Sequence, residues 1–370
     1  MNSFGRISLI ILLAIWVAYP LVVGALSLMR RRPRNARTRP ADLPRISIVL
    51  ATRANADAIR ARVANLREAS YDGSVELIVA LDASGSEASP NDLAGLDAYV
   101  VIGDKPGGKA ATLNAGVRAA RHEILIFADT AQTFDSQVLS EMVFALEDPR
   151  LGAVSGTLHT SPHGTSNVAD WYWRYERRVR RVEARLHSPI GVTGAIYALR
   201  RELWEPLPAD LILDDLYVPM SLVLRGWRVG FTERARAVDA RQFTAAQEFR
   251  RKVRTLTGVL QLCVWLPDVL NPLRNPVWLQ FVFHKLLRLA TPYLVTIVAV
   301  DALWVVVRRL LSANATIPLV AVAILCVAAL TFSRVRRSVA QQLALGFALQ
   351  ASVVVAMVNG FRGRWDVWRS

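Results

Sequence analysis

Two aspartates stand directly after apolar, strand-like runs. Asp82 follows Glu76-Leu77-Ile78-Val79-Ala80-Leu81, and Asp129 follows Ile124-Leu125-Ile126-Phe127-Ala128. At the carboxyl ends of parallel strands, side chains face the crevice in which α/β sheets bind ligands. Asp82 is suited there to accept a hydrogen bond from a nucleobase, and Asp129 to hold a ribose or a metal. An Asp after a strand also serves to start a turn or cap a helix, but two at corresponding strand ends favour the ligand reading. Gly103-Asp104-Lys105-Pro106-Gly107-Gly108-Lys109-Ala110 has the spacing of a phosphate-binding P-loop, yet Ala110 stands where the magnesium-binding hydroxyl belongs. What survives is a Gly-rich turn with Lys109 opening a helix, an arrangement suited to a diphosphate. Leu211-Ile212-Leu213-Asp214-Asp215-Leu216 sets two adjacent carboxylates after an apolar run. One could act as general base toward an acceptor hydroxyl; on the residues alone, a capping pair before a helix near Leu216 is the stronger reading. His159 and His163 lack an acidic or cysteine partner, and Pro162 disfavours a helix between them, so a metal role is weak. Trp171, Trp173 and Tyr175 alternate with Arg174, Arg177, Arg178, Arg180 and Arg181. Such a pattern can stack on bases, but it reads better as a helix packed on the domain and touching lipid phosphates. No nucleophile elbow or Ser-His-Asp motif is present.

The elements that must position these residues follow from periodicity. Arg45–Leu50 reads as a buried strand, and Val75–Leu81, Tyr99–Ile102 and Glu123–Phe127 as the next three strands. Helical spacing fills Asn55–Glu68, Ala110–Ala120 and Ser136–Leu146. Alternation of strand and helix predicts an α/β fold with a mostly parallel sheet and helices on both faces. Ile7–Met29 carries no charge and is long enough to cross a bilayer. Arg30, Arg31, Arg32, Arg34, Arg37 and Arg39 follow and place that end in the cytoplasm. A cleaved signal peptide fits less well, because the run is too long and no small-residue cleavage site precedes the basic cluster. Val259–Leu270 and Val277–Leu287, broken by Pro267, Asn271, Pro272, Pro276 and Lys285, are expected as interfacial helices. Residues 289–307, 316–332 and 339–360 are candidate spans. Three crossings would put the tail outside, whereas Arg362, Arg364 and Arg369 argue for inside, so one segment is a candidate re-entrant loop. The expected organisation is an anchor and basic linker over 1–40, a cytoplasmic α/β domain over 41–255, interfacial helices over 256–288, and membrane helices with a tail over 289–370.

Composition agrees with a chain divided between water and lipid. Mean hydropathy is +0.28 although 20% of the residues are charged. Lys and Arg number 45 against 30 Asp and Glu, an excess that suits anionic lipid headgroups and nucleotide phosphates when it lies beside membrane segments. The two cysteines, Cys263 and Cys326, are too few for a disulfide framework or a thiolate metal site.

Several of these segments together resemble the family 2 inverting glycosyltransferases of GT-A fold, the integral-membrane type of bacterial polysaccharide and glycolipid assembly. The likeness runs from Ile46 to Arg254 and into the flanking membrane helices. Ser47-Ile48-Val49-Leu50-Ala51-Thr52-Arg53 looks like the family's opening strand, and Asp82 like its base-binding acid. Gly108-Lys109-Ala110-Ala111-Thr112-Leu113-Asn114-Ala115-Gly116 is similar to its GKAxALNxG segment, and Asp129-Thr130-Ala131 falls on its DxD motif. Gly191–Arg201 looks like the acceptor-side glycine motif, with Gly194 inside it, and Asp214-Asp215 matches the Glu-Asp pair. The resemblance implies that Thr52 and Asp82 hold the nucleoside, that Lys109, Asp129 and Mg²⁺ or Mn²⁺ hold the diphosphate, and that Asp215 is the catalytic base. Two positions depart from the pattern. Ala131 replaces the second DxD acid, leaving Asp129, the diphosphate and Gln132 or water for the metal. Arg251-Lys252-Val253-Arg254-Thr255 keeps only the Arg of QxxRW; Arg254, with Lys252 assisting, would offset the leaving diphosphate. Losing the Gln and Trp points to single-sugar transfer. The implied enzyme is a hexosyltransferase-type, multi-pass protein of the inner membrane with its catalytic domain in the cytoplasm. Its partners would be a nucleotide-sugar donor (a UDP-sugar first), a lipid-linked or glycan acceptor, and anionic lipids, with no nucleic acid. The alternatives are a processive polysaccharide synthase and, because of Ala131, a catalytically silent membrane scaffold. A basic nucleic-acid-binding protein ranks last, since the Arg runs follow membrane topology.

Overall fold

In the computed structural model, residues 2–29, 43–160, 167–241, 244–310, 348 and 350–365 are described. They form two compact units. One is built from Met1–Val22, Phe243–Leu260 and Val282–Arg364, the other from Val23–Gln242 and Gln261–Phe281.

The second unit is organised by a buried strand. In β1 (Ile46–Thr52) nearly every residue is shielded on both faces, the condition that favours an unbroken β-branched run. It pairs in parallel with β2 (Val75–Leu81) on one side and β4 (Ile124–Ala128) on the other, while β3 (Tyr99–Ile102) extends the sheet beyond β2. The chain therefore leaves β1 in one direction and returns on its other flank. The ends of β1 and β4 mark a switch point, where such sheets open a binding crevice. Four more strands complete the sheet: β5 (Gln132–Phe134), β6 (Leu151–Thr160), β7 (Ile196–Arg200) and β8 (Arg228–Asp239), in the order β3-β2-β1-β4-β7-β6-β8-β5. β7 runs antiparallel to β4 and β6, and β5 antiparallel to β8, whereas β6 and β8 are parallel. The mostly parallel α/β sheet expected from the sequence is thus present, joined to a mixed half that periodicity did not resolve.

Alternation along β1 sends side chains to opposite faces. Ile46, Ile48 and Leu50 join Ile59, Val63 and Leu66 of α3 (Ala56–Glu68) and Leu139, Met142 and Val143 of α5 (Val138–Ala145) in one core. Burying each such side chain contributes roughly 1.5–3 kcal/mol. Across the sheet, α4 (Lys109–Ala119) lies on the face bearing Val49. A Cβ on its Gly116 would fall 2.6 Å from Val49 Cγ1, so glycine permits that close approach. Asn55 caps α3 by accepting from the Ala58 N–H at 2.9 Å. The Arg-rich stretch expected to be helical is α6 (Asn167–Leu186), and Asp214 opens α7 (Asp214–Leu224).

Outside the sheet, α1 (Ser3–Leu13) and α2 (Tyr19–Met29) join through the π-wound turn Ala14–Ala18 into one 27-residue helix. It begins before Ile7 and includes Arg6. Val277–Leu287, expected as a separate interfacial helix, is continuous with the segment after it: Trp278–Arg309 is one 32-residue helix, comprising α9 (Trp278–Phe281), the turn Val282–Leu286 and nearly all of α10 (Leu287–Leu310). Lys285 and Asp301 interrupt the hydropathy but not the backbone. The Asp301 carboxylate accepts from the Asn2 N–H at 3.0 and 3.2 Å, at the amino end of α1, where a helix carries partial positive charge. Trp16 donates to Thr291 at 3.1 Å, and Tyr19 stacks on Phe283. Both long helices are apolar enough to cross a membrane. The boundary expected at 255/256 falls inside another continuous helix, α8 (Ala245–Trp265). Residues 316–332, the basic cluster 30–39, His163 and Arg369 lie outside the described residues, as does most of 339–349; Gln350–Phe361 is helical.

Candidate active site

The crevice at the carboxyl ends of β1, β2 and β4 gathers most of the residues singled out by their chemistry. Thr52 ends β1, and its hydroxyl oxygen accepts from the Thr130 hydroxyl at 2.7 Å, tying β1 to the segment that follows β4. Asp82, just past β2, is buried and engaged by the protein itself. Its Oδ1 accepts from Ser84 N and Oγ, each at 2.8 Å, and from Gly108 N at 2.9 Å; Oδ2 accepts from Arg53 Nε at 2.6 Å. Burial by itself would raise the Asp82 pKa. The hydrogen bonds from Gly108, Ser84 and Arg53 outweigh it and hold the carboxyl below its usual range. Asp82 therefore also organises the Gly-rich loop, leaving Oδ2 as the oxygen with accepting capacity to spare.

Lys109 opens α4 and reaches two carboxylates at once: its Nζ lies 3.4 Å from Asp129 Oδ1 and 3.3 Å from Asp214 Oδ1. Its side chain is 42% exposed and that of Asp129 34%, so both remain open to a ligand. Burial pulls the Lys109 pKa down, but Asp129, Asp214 and Asp215 together hold it well above the ordinary lysine value. Gly194 belongs to the same cluster. A Cβ built there would meet Asp215 Cβ at 3.2 Å, Asp215 Oδ2 at 3.6 Å and Lys109 Nζ at 3.6 Å. Lys109, Asp129, Asp214, Asp215 and Gly194 thus converge, although they come from segments far apart in the sequence. Arg254 lies on α8, in the other unit.

Gln132 departs from its expected use. Its amide donates to Asp239 Oδ2 at 3.0 Å, where Asp239 is also clasped by Arg241. The residue is buried and ties β5 to β8, so it is committed to the sheet and not to a metal. Among the described residues no group of three or more His, Cys, Asp and Glu is gathered for a metal ion. Mg²⁺ needs only one or two protein carboxylates when it also binds substrate phosphates. The donor set therefore fits a divalent cation that arrives with a diphosphate, with Asp129 as its protein ligand. His159 sits on β6, and burial lowers its pKa.

Sequence reasoning assigned no role to three residues at this centre. Arg53 follows Thr52 and pairs with Asp82. Arg62 of α3 is buried, donates to the Asp129 carbonyl at 3.0 Å, and has its pKa lowered to about 10 by burial, against the pull of Asp129. Tyr197 of β7 is fully buried beside the carboxylates. Only the antiparallel pairing of β4 with β7 reveals Tyr197, and hydropathy does not carry that pairing.

A mixed sheet with helices on both faces, an acidic residue just past β4 and a lysine-led helix facing it together define a GT-A-like glycosyltransferase fold. Residues 47–205 match the family described as "Glycosyl transferase family 2". Over 98% of this chain and 99% of the other, the structure is similar to the mannosyltransferase PcManGT from Pyrobaculum calidifontis, solved in complex with GDP-Man and Mn²⁺, with a TM-score of 0.70 and 20% identity. A mycobacterial protein of known structure is similar over 65% of this chain and 78% of its own, at 18% identity and a TM-score of 0.44. No curated protein matches the sequence.

Proposed function

We propose that this protein is a membrane-bound, inverting hexosyltransferase that moves one sugar from a nucleotide donor to a lipid-linked or glycan acceptor. The observation that carries the proposal is the convergence of Lys109, Asp129, Asp214 and Asp215 around Gly194. Thr52, Asp82 and Arg53 line the nucleoside end, where Asp82 Oδ2, already accepting from Arg53 Nε, has a further lone pair for a base N–H. Lys109 stays an ammonium ion at any assay pH and contacts the diphosphate. A divalent cation bound by Asp129 and the diphosphate would supply electrostatic stabilisation of the leaving group. Asp215 accepts the proton of the acceptor hydroxyl as that oxygen attacks the anomeric carbon, and the nucleoside diphosphate departs from the opposite face. Gly194 keeps the space beside Asp215 open for the acceptor, and Asp214 holds Lys109 in register. The two long apolar helices fit an inner-membrane enzyme with a cytoplasmic catalytic domain. The similarity to a protein bound to GDP-Man and Mn²⁺ puts GDP-sugars beside UDP-sugars as candidate donors.

The test is donor consumption by the detergent-purified protein over UDP- and GDP-sugars, with and without Mn²⁺, beside Asp215→Asn. Turnover by the wild type that falls by about 10²–10⁴-fold in the variant, with nucleotide binding retained, supports the reading. Unimpaired transfer by Asp215→Asn would remove the assigned base. Tight nucleotide binding without turnover would favour the silent scaffold that Ala131 suggests, and long products would mark a processive synthase.

A further inference from the structure

Among the buried polar atoms at the carboxylate centre that have no hydrogen-bond partner among the described residues are the Tyr197 hydroxyl and Asp214 Oδ2. Each was stripped of water on folding without gaining a partner, and such atoms in native structures call for an explanation. Their placement supplies one. Tyr197 lies directly opposite Phe127 in the antiparallel β4–β7 pairing. Directly opposed residues share a sheet face, and Asp129 follows Phe127 by two positions. The phenol ring is fixed by stacking on Phe127, with centroids 4.4 Å apart and 15° between planes. Burial first, then Asp214, Asp215 and Asp129, push the Tyr197 pKa far upward, so the hydroxyl stays a donor with three carboxylates in electrostatic reach.

Among the described residues Asp214 has one counter-ion at its other oxygen, Lys109 at 3.3 Å, and Lys109 is shared with Asp129. A donor diphosphate brings further negative charge to the same ammonium. As Lys109 turns toward it, the buried Asp214 carboxylate loses its partner, and an uncompensated buried charge is strongly unfavourable.

We propose that Tyr197 is a positioning residue that takes over Asp214 when the donor binds: its hydroxyl donates to Asp214 Oδ2 as Lys109 moves to the diphosphate. This rests on the reading of Lys109 as the diphosphate contact. The exchange holds the first turn of α7, and with it Asp215, in place through the reaction. It also leaves the hydroxyl unsatisfied in the ligand-free protein, as observed.

Tyr197→Phe removes the hydroxyl and keeps the stacking ring. Calorimetric titration with UDP, GDP, CDP and dTDP in the presence of Mn²⁺, with thermal melts of the ligand-free proteins, separates the outcomes. The expected result is a ligand-free Tm equal to or above the wild type, with Kd for the preferred nucleoside diphosphate at least tenfold weaker. In an Asp214→Asn background, adding Tyr197→Phe should change Kd less than twofold. A Kd for Tyr197→Phe within twofold of the wild type would overturn the proposal. A lowered ligand-free Tm would do so too, because the hydroxyl would then already be bonded without donor. A wild type that binds none of the four nucleotides would instead remove the donor-site reading, and the proposal with it.

Discussion

In the proposed donor site a single ammonium, that of Lys109, is already shared between carboxylates before any ligand arrives. One ammonium faces Asp129 and Asp214 at 3.4 and 3.3 Å, Ala131 offers no second acid, and Gln132 is committed to Asp239. A free divalent cation meets one partly exposed carboxylate already beside a positive charge, and gains little on leaving its water shell. Titration of Mn²⁺ into ligand-free protein should therefore show no saturable binding below the millimolar range, whereas a nucleoside diphosphate should confer it. Sub-millimolar binding without nucleotide would mean that other residues complete a preformed site. Asp82 makes a separate prediction. Its folded pKa lies below the ordinary value of about 3.9, so its contribution to stability is complete above that value and is lost as pH falls through the folded pKa. Asp82→Asn should cost about 1.5–3 kcal/mol at pH 7, the scale of hydrogen bonds to a charged group. In urea melts the gap to the wild type should narrow toward pH 3, and a gap independent of pH would assign the loss to packing.

The elements holding these residues were legible to different depths. Val75–Leu81 and Tyr99–Ile102 have the bounds their apolar runs predict, and Asn55, Lys109 and Asp214 stand at helix starts as capping and phosphate-loop reasoning expects. Such features are local, written within a few residues. β7, β8 and the pairing that sets Tyr197 beside Asp129 are non-local: Ile196–Arg200 is five residues long, and its partner lies some seventy positions away. The identities of Asp82, Asp129 and Lys109 were therefore readable as chemistry, whereas the meeting of Lys109 with Asp214, and the diversion of Gln132 to Asp239, required the fold. The glycines separate loop integrity from site space. Gly107 has φ +94°, and a Cβ there would fall 2.4 Å from Ser84 Cβ and 2.6 Å from Asp82 Oδ1. Gly107→Ala should lower stability by more than about 1 kcal/mol, since alanine is strained at positive φ. At Gly194 the nearest contact is 3.2 Å, to Asp215 Cβ. Gly194→Ala should keep its melting temperature within a few degrees and lose at least tenfold in transfer, because the methyl group displaces Asp215. Equal losses of stability in the two variants would contradict this division of roles.

At the scale of the whole chain, apolar length and Arg distribution underlie the proposal that the protein is membrane-bound. Ser3–Met29 and Trp278–Arg309 are 27 and 32 residues long; at 1.5 Å per residue each exceeds a hydrocarbon core of about 30 Å. They carry Ile10, Leu21, Val22, Leu28, Val300, Leu303 and Trp304, all more than half exposed, apolar surface that the proposed membrane setting would cover. Asp301 is consistent with that setting: a carboxylate within a span needs a local partner, and the Asn2 N–H at the start of α1 supplies one. The protein should accordingly stay in the membrane fraction after a high-salt and alkaline wash and enter solution only with detergent. By the positive-inside rule, the six arginines between Arg30 and Arg39 predict a cytoplasmic position for the segment that follows. Protease added outside intact spheroplasts should leave the segment from Ile46 to Asp239 uncut, whereas inverted vesicles should expose it. Replacing Arg30, Arg31 and Arg32 with Asn should blunt that asymmetry. Cleavage from outside in the wild type would reverse the orientation and with it the supply of donor, because nucleotide sugars carry charged diphosphates that do not cross a bilayer unaided.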